Sequence, residues 1–507
     1  MGTGSSTSKG KLALKLAAQL AAEQRVQEQR VQEHGELPEI SGEDAPSEVA
    51  PASKPKQIGK EQLKPSVYQK SRWEKKYGKL FENVLKGGAQ APVRLIDAHW
   101  LVALIESREA VTFGYRQTLP EEAFVSLDEC IMFGCPSSLL AVICVSYPWL
   151  SPAHPDPHGA HCAILAIALR ALINEKADAG ATLTGPSGTQ RYGVFIDFCS
   201  LFQHPDPSAG VFRTPEEDAR FKLALSTLSA LYSALGTNVL RLTVLPKDYP
   251  NGYDLPEGSN VAQYDDRGWC YTEGRWAALT KPATATFDLG RLRDLGTRAV
   301  PASREELVEL CAQGGVRRPP LLPAAFAEAL QQKAFTNGKD DRPLVEALYR
   351  QEFESTFRNV HVLRYQALGW GDEEILLVAS ALDAVVEPGD RKHKTARAHR
   401  ATPLNELYLM GNTFGDAAAQ PLLDVCSRLR GLTWLNLSDN PKLGDGTFTH
   451  LAKLLGASRG NFKRLQTVKL CGCTSATQAG KQALVKACEA RKIRCVLEED
   501  RCTALDA

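Results

Sequence analysis

Apolar positions follow four different rules along this chain. From 1 to 66 they are sparse: Leu12, Leu16 and Leu20 recur at helical spacing, EQRVQEQRVQE repeats a five-residue unit, and no period survives among the Pro, Ser, Glu and Lys of Gly35 to Ser66. Such a stretch has too little apolar surface to offset the entropy of ordering, and it reads as a flexible N-terminal arm and linker. From 67 to 130 the period is helical in pieces (Trp73 and Tyr77, then Leu80, Phe81 and Leu85, then Ile96 to Ile105), which predicts a helical preface packed on the next domain.

Between 131 and 350 the element types alternate. Leu139 to Tyr147 (LLAVICVSY) and Tyr192 to Phe198 (YGVFIDF) are continuous apolar runs rich in β-branched and aromatic residues, as buried strands of a parallel sheet should be, and Asn238 to Leu245 (NVLRLTVL) is a third. A helix is expected from about His161 to Asn174. Another should start at Thr214, a capping residue followed by Pro215 and by Glu217 for a capping box, and run to about Ser233. Strand and helix in turn imply right-handed crossovers and a mostly parallel sheet with helices on both faces. Past Thr280 the prolines at 301, 319, 320 and 323 cut the pattern into short helices (Arg304 to Cys311, Ala324 to Ala334, Pro343 to Phe353), and FTNGKDD, Phe335 to Asp341, reads as a turn.

From 351 to 507 the rule is a repeat. LNELYLMGN (Leu404 to Asn412) and LTWLNLSDN (Leu432 to Asn440) share L-x-x-L-x-L-x-x-N, LQTVKLCGC (Leu465 to Cys473) puts Cys in the Asn place, and Val360, Leu363, Tyr365 and Leu368 form an atypical first copy. Gly371-Asp372, Gly415-Asp416 and Gly444-Asp445 follow the repeat starts by 11, 11 and 12 residues, each opening a helical stretch. Starts 28 and 33 residues apart suit the long leucine-rich repeats of the ribonuclease-inhibitor type, an α/β solenoid in which the leucines fill the core and Asn412 and Asn440 satisfy loop backbone groups. The first interval, 44 residues, holds an insertion around Glu387 to Pro403 carrying Arg391, Lys392, Lys394, Arg397 and Arg400, either a contact for anions or a solvated loop.

Composition narrows the function classes. A formal charge of +1 leaves no global field for nucleic acid, and no nucleic-acid partner is expected. The 13 cysteines are scattered, odd in number and without a CxxC pair, which points to a reducing, cytoplasmic setting; Cys471 and Cys473 are too little for zinc. No apolar run reaches spanning length, since the longest stops at Pro148. Gly2 and Ser6 nevertheless fit the M-G-x-x-x-S/T pattern for N-myristoylation, with Lys9, Lys11 and Lys15 as a basic second signal, so peripheral membrane contact through Gly2 is one reading and a disordered tail the other.

Candidate chemistry centres on RGWCYTEGRWAAL, Arg267 to Leu279. Trp269, Glu273 and Trp276 stand at i, i+4 and i+7, so a helix would set one carboxylate between two indoles, raising its pKa and offering flat surfaces to a flat ligand. The other reading makes both tryptophans core anchors and pairs Glu273 with Arg267 or Arg275. Open α/β sheets take ligands beyond the carboxyl ends of their strands, where Tyr147, Trp149 and Asp197 fall; Asp197 could equally accept hydrogen bonds from its own loop. His154, His158 and His161 lie near Asp156, but the turn-forming loop around them carries no second ligand group, and no metal site is assigned.

The ordered set SYPW, FIDFCSLFQ, R-T-x-E-E and RGWCYTE resembles the HET (heterokaryon incompatibility) domain, a relative of the TIR superfamily, over roughly residues 131 to 280. Ser146, Tyr147 and Trp149 match its SY-x-W, Asp197 and Gln203 its second-strand motif, and Arg267, Trp269 and Glu273 its R-x-W-x-x-x-E; Trp269, Cys270 and Glu273 also fit the WC-x-x-E of many TIR domains. The resemblance implies a flavodoxin-like parallel sheet which, in enzymatic TIR members, hydrolyses NAD as substrate with that glutamate essential. Glu273 and Asp197 are then the catalytic candidates, with Tyr147, Trp149, Arg267 and Trp269 binding the ligand. Pro246 to Asp266 intervenes where TIR domains keep the third strand and the glutamate helix close, and there is neither a P-loop nor GxGxxG. Two readings follow: an intracellular signalling or defence protein whose repeats bind a protein partner and whose α/β domain responds by NAD cleavage or self-association, or a non-catalytic adaptor.

Overall fold

The computed structural model describes residues 65–107, 111–133, 140–173, 191–207, 209–293, 295, 298–312, 317–386, 403–457 and 460–498; Gly2 with the N-terminal arm and the basic insertion lie outside them. Helix α1 (Val67–Leu85) is capped by Ser66 through a reciprocal pair of hydrogen bonds with Gln69. Strand β1 (Leu95–Asp97), α2 (Ala98–Glu106), β2 (Phe124–Val125) and α3 (Leu127–Phe133) follow, and β1 pairs antiparallel with β2 and with a later strand, Arg191–Phe195. The expected helical preface thus also supplies two strands. Three residues are shorter than any readable period, and it is Asp97 that separates strand from helix, accepting from the His99 N–H at 2.8 Å.

Next come β3 (Leu140–Ser146), α4 (Ala160–Ile173), β4 (Arg191–Phe195), the single turn α5 (Asp197–Ser200), α6 (Pro215–Leu225), α7 (Leu228–Ser233), β5 (Thr237–Arg241), α8 (Gly268–Ala277) and β6 (Thr286–Asp288). The sheet runs β2-β1-β4-β3-β5-β6, with β4, β3, β5 and β6 mutually parallel. Alternation sorts its side chains. Val142, Cys144, Phe195 and Val239 enter one core with Leu231 of α7 and Trp276 of α8, whereas Ile143, Val145, Val194 and Leu240 enter another with Leu101 of α2 and Leu165 of α4. Each such side chain contributes about 1.5–3 kcal/mol by burial. The capping box at Thr214 forms, but the helix expected as far as Ser233 is broken at Thr227, whose hydroxyl turns back onto the carbonyls of Leu223 (3.1 Å) and Ala224 (2.9 Å).

The bridge contains α9 (Arg304–Cys311), α10 (Pro323–Leu330) and α11 (Gly338–Asn359). Then β7 (Val362–Arg364), α12 (Asp372–Asp383), β8 (Glu406–Tyr408), α13 (Asp416–Arg428), β9 (Trp434–Asn436), α14 (Asp445–Ala457), β10 (Thr467–Lys469), α15 (Gln478–Arg491) and β11 (Arg494–Val496) alternate, and their strands form a second parallel sheet in sequential order. Leu363, Leu407, Leu435 and Val468 are fully buried beneath it. Asn412 accepts from the backbone N–H groups of Leu368 and Trp370, both at 3.1 Å, and donates to the carbonyls of Tyr365 (2.8 Å) and Leu409 (2.9 Å). Asn440 donates to the carbonyls of Leu409 (3.0 Å) and Leu437 (2.9 Å), and in the next unit the Cys473 thiol faces the carbonyl of Leu437. The Gly-Asp pairs have a use that spacing did not reveal. Each aspartate bonds the start of the helix in the following unit: Asp372 accepts from Gly415 N–H (2.7 Å), Asp416 from Gly444 N–H (2.8 Å) and Asp445 from Thr477 N–H (2.8 Å).

The two sheets are joined by buried contacts, including Tyr365 Oη donating to Leu279 O (2.6 Å) and Trp370 Nε1 to Arg317 O (3.0 Å). Among the described residues no helix is long and apolar enough to cross a membrane.

Candidate functional site

Strand β3 has β4 on one side and β5 on the other, so the crossovers from β3 to β4 and from β4 to β5 run in opposite directions and a crevice opens at the carboxyl end of β3. A cavity of about 510 Å³ lies there, within the roughly 300–1,000 Å³ range of small-molecule sites. Tyr147, Trp149, Asp197, Arg267, Trp269 and Glu273 all line it. Residues drawn from three separate segments therefore meet there.

Glu273 is positioned by α8 against the end of β3. Ser146 Oγ donates to Glu273 Oε2 at 2.5 Å and the Tyr264 hydroxyl lies 2.5 Å from the same Ser146 Oγ, while the Tyr232 hydroxyl donates to Val145 O at 3.0 Å. Part of its surface faces the cavity and protein encloses the rest. Burial, reinforced by the charge of Asp197 and opposed by the Ser146 hydrogen bond and the nearby Tyr232 hydroxyl, pushes its pKa up to about 8. Neither Arg267 nor Arg275 pairs with it. Arg267 is spent on the carbonyls of Ala262 (2.8 Å) and Trp149 and on the Tyr249 hydroxyl (3.3 Å), and Arg275 donates to Pro319 O (3.3 Å). Arg267 thus acts as a strut that holds the Trp149 loop against the start of α8.

The indole pair expected around Glu273 is only half present. Trp269 lines the cavity and donates from Nε1 to Asp341 Oδ2 (3.0 Å), while Trp276 is fully buried in the sheet core beside Tyr232, with ring centroids 6.1 Å apart. Seven residues advance a helix by almost two turns, which leaves Trp276 beneath the sheet rather than at its edge. The second indole at the cavity is Trp149, from β3's own loop.

Asp197 holds that indole. Its Oδ2 accepts from Trp149 Nε1 (3.0 Å), and its Oδ1 accepts from the Tyr147 hydroxyl and the Phe198 N–H (2.6 Å). It opens α5 rather than ending β4. Burial raises its pKa, and the three donors pull the other way. With its lone pairs so committed, Asp197 orients Tyr147 and Trp149. His154, His158 and His161 bond the carbonyls of Phe113 (2.8 Å), Gly252 (3.3 Å) and Pro148 (3.1 Å), which fixes the loop above β3. Among the described residues no group of three or more metal-ligating side chains is assembled.

No protein-family model matches the chain, and no curated protein matches it.

Part of the cavity wall comes from where a turn was expected. Phe335, Asn337, Asp340, Asp341 and Leu344 line it, the last three on α11, which starts at Gly338 rather than near Pro343. The wall is tied on by Gly268 N–H to Ala334 O (2.8 Å) and Ala334 N–H to Asp266 O (2.7 Å). Arg213 and Lys222, around α6, line it as well. Burial, with the Asp340 charge adding and the Trp269 hydrogen bond opposing, lifts Asp341 to about 6.

Proposed function

We propose that the α/β domain binds a nucleotide carrying a cationic base and hydrolyses its N-glycosidic bond, with NAD as substrate. The observation that carries this reading is Glu273, a carboxyl at the switch point of the sheet that faces an aromatic cavity with no cation paired to it among the described residues. In the reaction the bond from ribose C1′ to the pyridinium nitrogen breaks and its electron pair neutralises the departing nicotinamide. Positive character grows on C1′ and the ring oxygen, where ionised Glu273 stabilises it. The oxygen of water then bonds C1′ and its proton passes to solvent, leaving ADP-ribose.

At neutral pH the empty site holds Glu273 largely protonated, and an arriving pyridinium favours the charged form, because an opposite charge lowers an acid's pKa. Trp149, set by Asp197, and Trp269, set by Asp341, offer faces for the base. The parallel sheet and the motif set support a flavodoxin-like, HET/TIR-like domain, and the strand-helix units after Val360 support a short leucine-rich array that recognises a protein partner.

Helix α11 supports coupling between them. Its first turns line the cavity, its last residue lies just ahead of β7, and 22 residues span about 33 Å. An adaptor without turnover is the second reading, supported by the half-buried row on the array's sheet, where Arg364 stacks on Tyr408 and Lys469 on Trp434. Intracellular signalling or defence, with Gly2 acylation as a membrane tether, completes the proposal.

The test is nicotinamide release by the full chain and by a forced oligomer, each with and without E273Q. Release by either wild-type form, lost in E273Q, is expected. No release in any state, or release by E273Q at the wild-type rate, overturns the enzyme reading.

A further inference from the structure

The cavity has a cationic pole that the proposed reaction leaves unused. Arg213 precedes α6 and lies with its guanidinium 3.8 Å from the Phe221 ring centroid. Its side chain is only 4% exposed, so water does little to satisfy it. Nη1 reaches Phe202 O and Nη2 reaches Asp218 Oδ1, each at 3.3 Å, long for a charged donor. Nε is buried and meets no acceptor among the described residues. One helical turn beyond Asp218, Lys222 places Nζ 2.6 Å from that residue's other carboxylate oxygen. One carboxylate therefore serves two cations. The neighbouring Glu217 gives its own carboxylate to the Thr214 N–H at 2.9 Å.

We propose that Arg213 and Lys222 form an anion subsite for the phosphate groups of a phosphorylated nucleoside, with Asp218 as the internal carboxylate that holds the two cations in place until the ligand arrives. The identity of the carrier rests on the nucleotide reading above; the anion chemistry does not. Phosphate oxygens supply Arg213 with the close acceptors that Phe202 O and Asp218 Oδ1 give it only at 3.3 Å, and a guanidinium on an aromatic face beside an ammonium is a common way to receive them. Asp340 supplies a complementary feature of the same lining: its Oδ1 is buried without a donor, as a wall that receives ligand hydroxyl or amine groups would be.

The test is calorimetric binding of ADP-ribose, adenosine and inorganic pyrophosphate to the full chain and to R213Q, K222Q and D218N. Thermal melts confirm folding. ADP-ribose should bind at least about tenfold more tightly than adenosine, and K222Q and R213Q should each weaken it about tenfold, the worth of one charge-assisted hydrogen bond, with adenosine unchanged. D218N frees both cations and should tighten ADP-ribose and pyrophosphate several-fold. Should R213Q fail to fold, K222Q and D218N, at partly exposed positions, decide the matter. Unchanged ADP-ribose affinity in both, or an equal loss for adenosine, overturns the subsite even where E273Q abolishes nicotinamide release. The expected pattern in a chain that releases no nicotinamide keeps the subsite and removes the glycosidase reading.

Discussion

Replacing Glu273 by glutamine should make the protein more stable in base and leave it nearly unchanged in acid. The unfolded carboxyl titrates near its ordinary 4.5, and burial raises the folded value to about 8. Between these values the folded state binds the proton that the unfolded state has released, so stability falls as pH rises from 4.5 to 8 and then levels off. A rise of that size corresponds to at most about 5 kcal/mol. Because one edge of the carboxyl meets the cavity, where water screens it, about 2 kcal/mol is the working figure. Gln keeps the shape and carries no charge, so it avoids this cost. Scanning calorimetry of wild type and E273Q at pH 5 and pH 8.5 reads the difference directly. E273Q should melt about 2 °C higher at pH 8.5 and within about half a degree of wild type at pH 5. A variant less stable at pH 8.5 would mean that a cation compensates the carboxylate, and the reasoning about the site would fall with it.

Three further outcomes follow from the geometry. If the chain releases nicotinamide, kcat/KM should climb with pH up to about 8 as free Glu273 ionises, whereas kcat should level off at lower pH because bound pyridinium favours the carboxylate; a flat kcat/KM between pH 6 and 9 contradicts the assignment. A methyl group on Gly268 would sit 2.0 Å from the Phe335 ring, so Gly268→Ala should displace that ring from the cavity wall, cost about 1–3 kcal/mol in urea unfolding and weaken ADP-ribose binding; unaltered binding would remove Phe335 from the site. Asn412→Ala strips two N–H groups and two carbonyls of buried partners, and a loss of about 3 kcal/mol or more is expected in urea melts, a loss under about 1 kcal/mol being the contrary result.

What the sequence disclosed depended on how local the signal was. Strand β3 and the leucine-bearing strands of the second sheet follow one rule over several residues, and the Thr214 capping box spans four, so all were readable. The meeting of Ser146 with Glu273 was half readable, since each sits at a recognisable element end, but nothing local joins residues 127 positions apart. Trp269 and Asp341, 72 apart, gave no sign of their bond. Trp276 misled because helical spacing reports a shared stripe and not where a sheet beneath it ends. Arg267 was legible only in part: its motif position agrees with its place in the cavity lining, while nothing local signals that its guanidinium donates to three loop acceptors. Strands β1 and β11 have three residues each, too few for any period to register.

The most direct measurement is a carbon-13 NMR titration of the Glu273 side-chain carboxyl in glutamate-labelled full-length protein, assigned by its absence in E273Q, with and without NAD. The expected result is a resonance titrating near pH 8 in the free protein and at lower pH once the pyridinium nucleotide is bound. A carboxyl titrating near 4.5 and indifferent to NAD would contradict a cation-free glutamate that meets its ligand in this cavity.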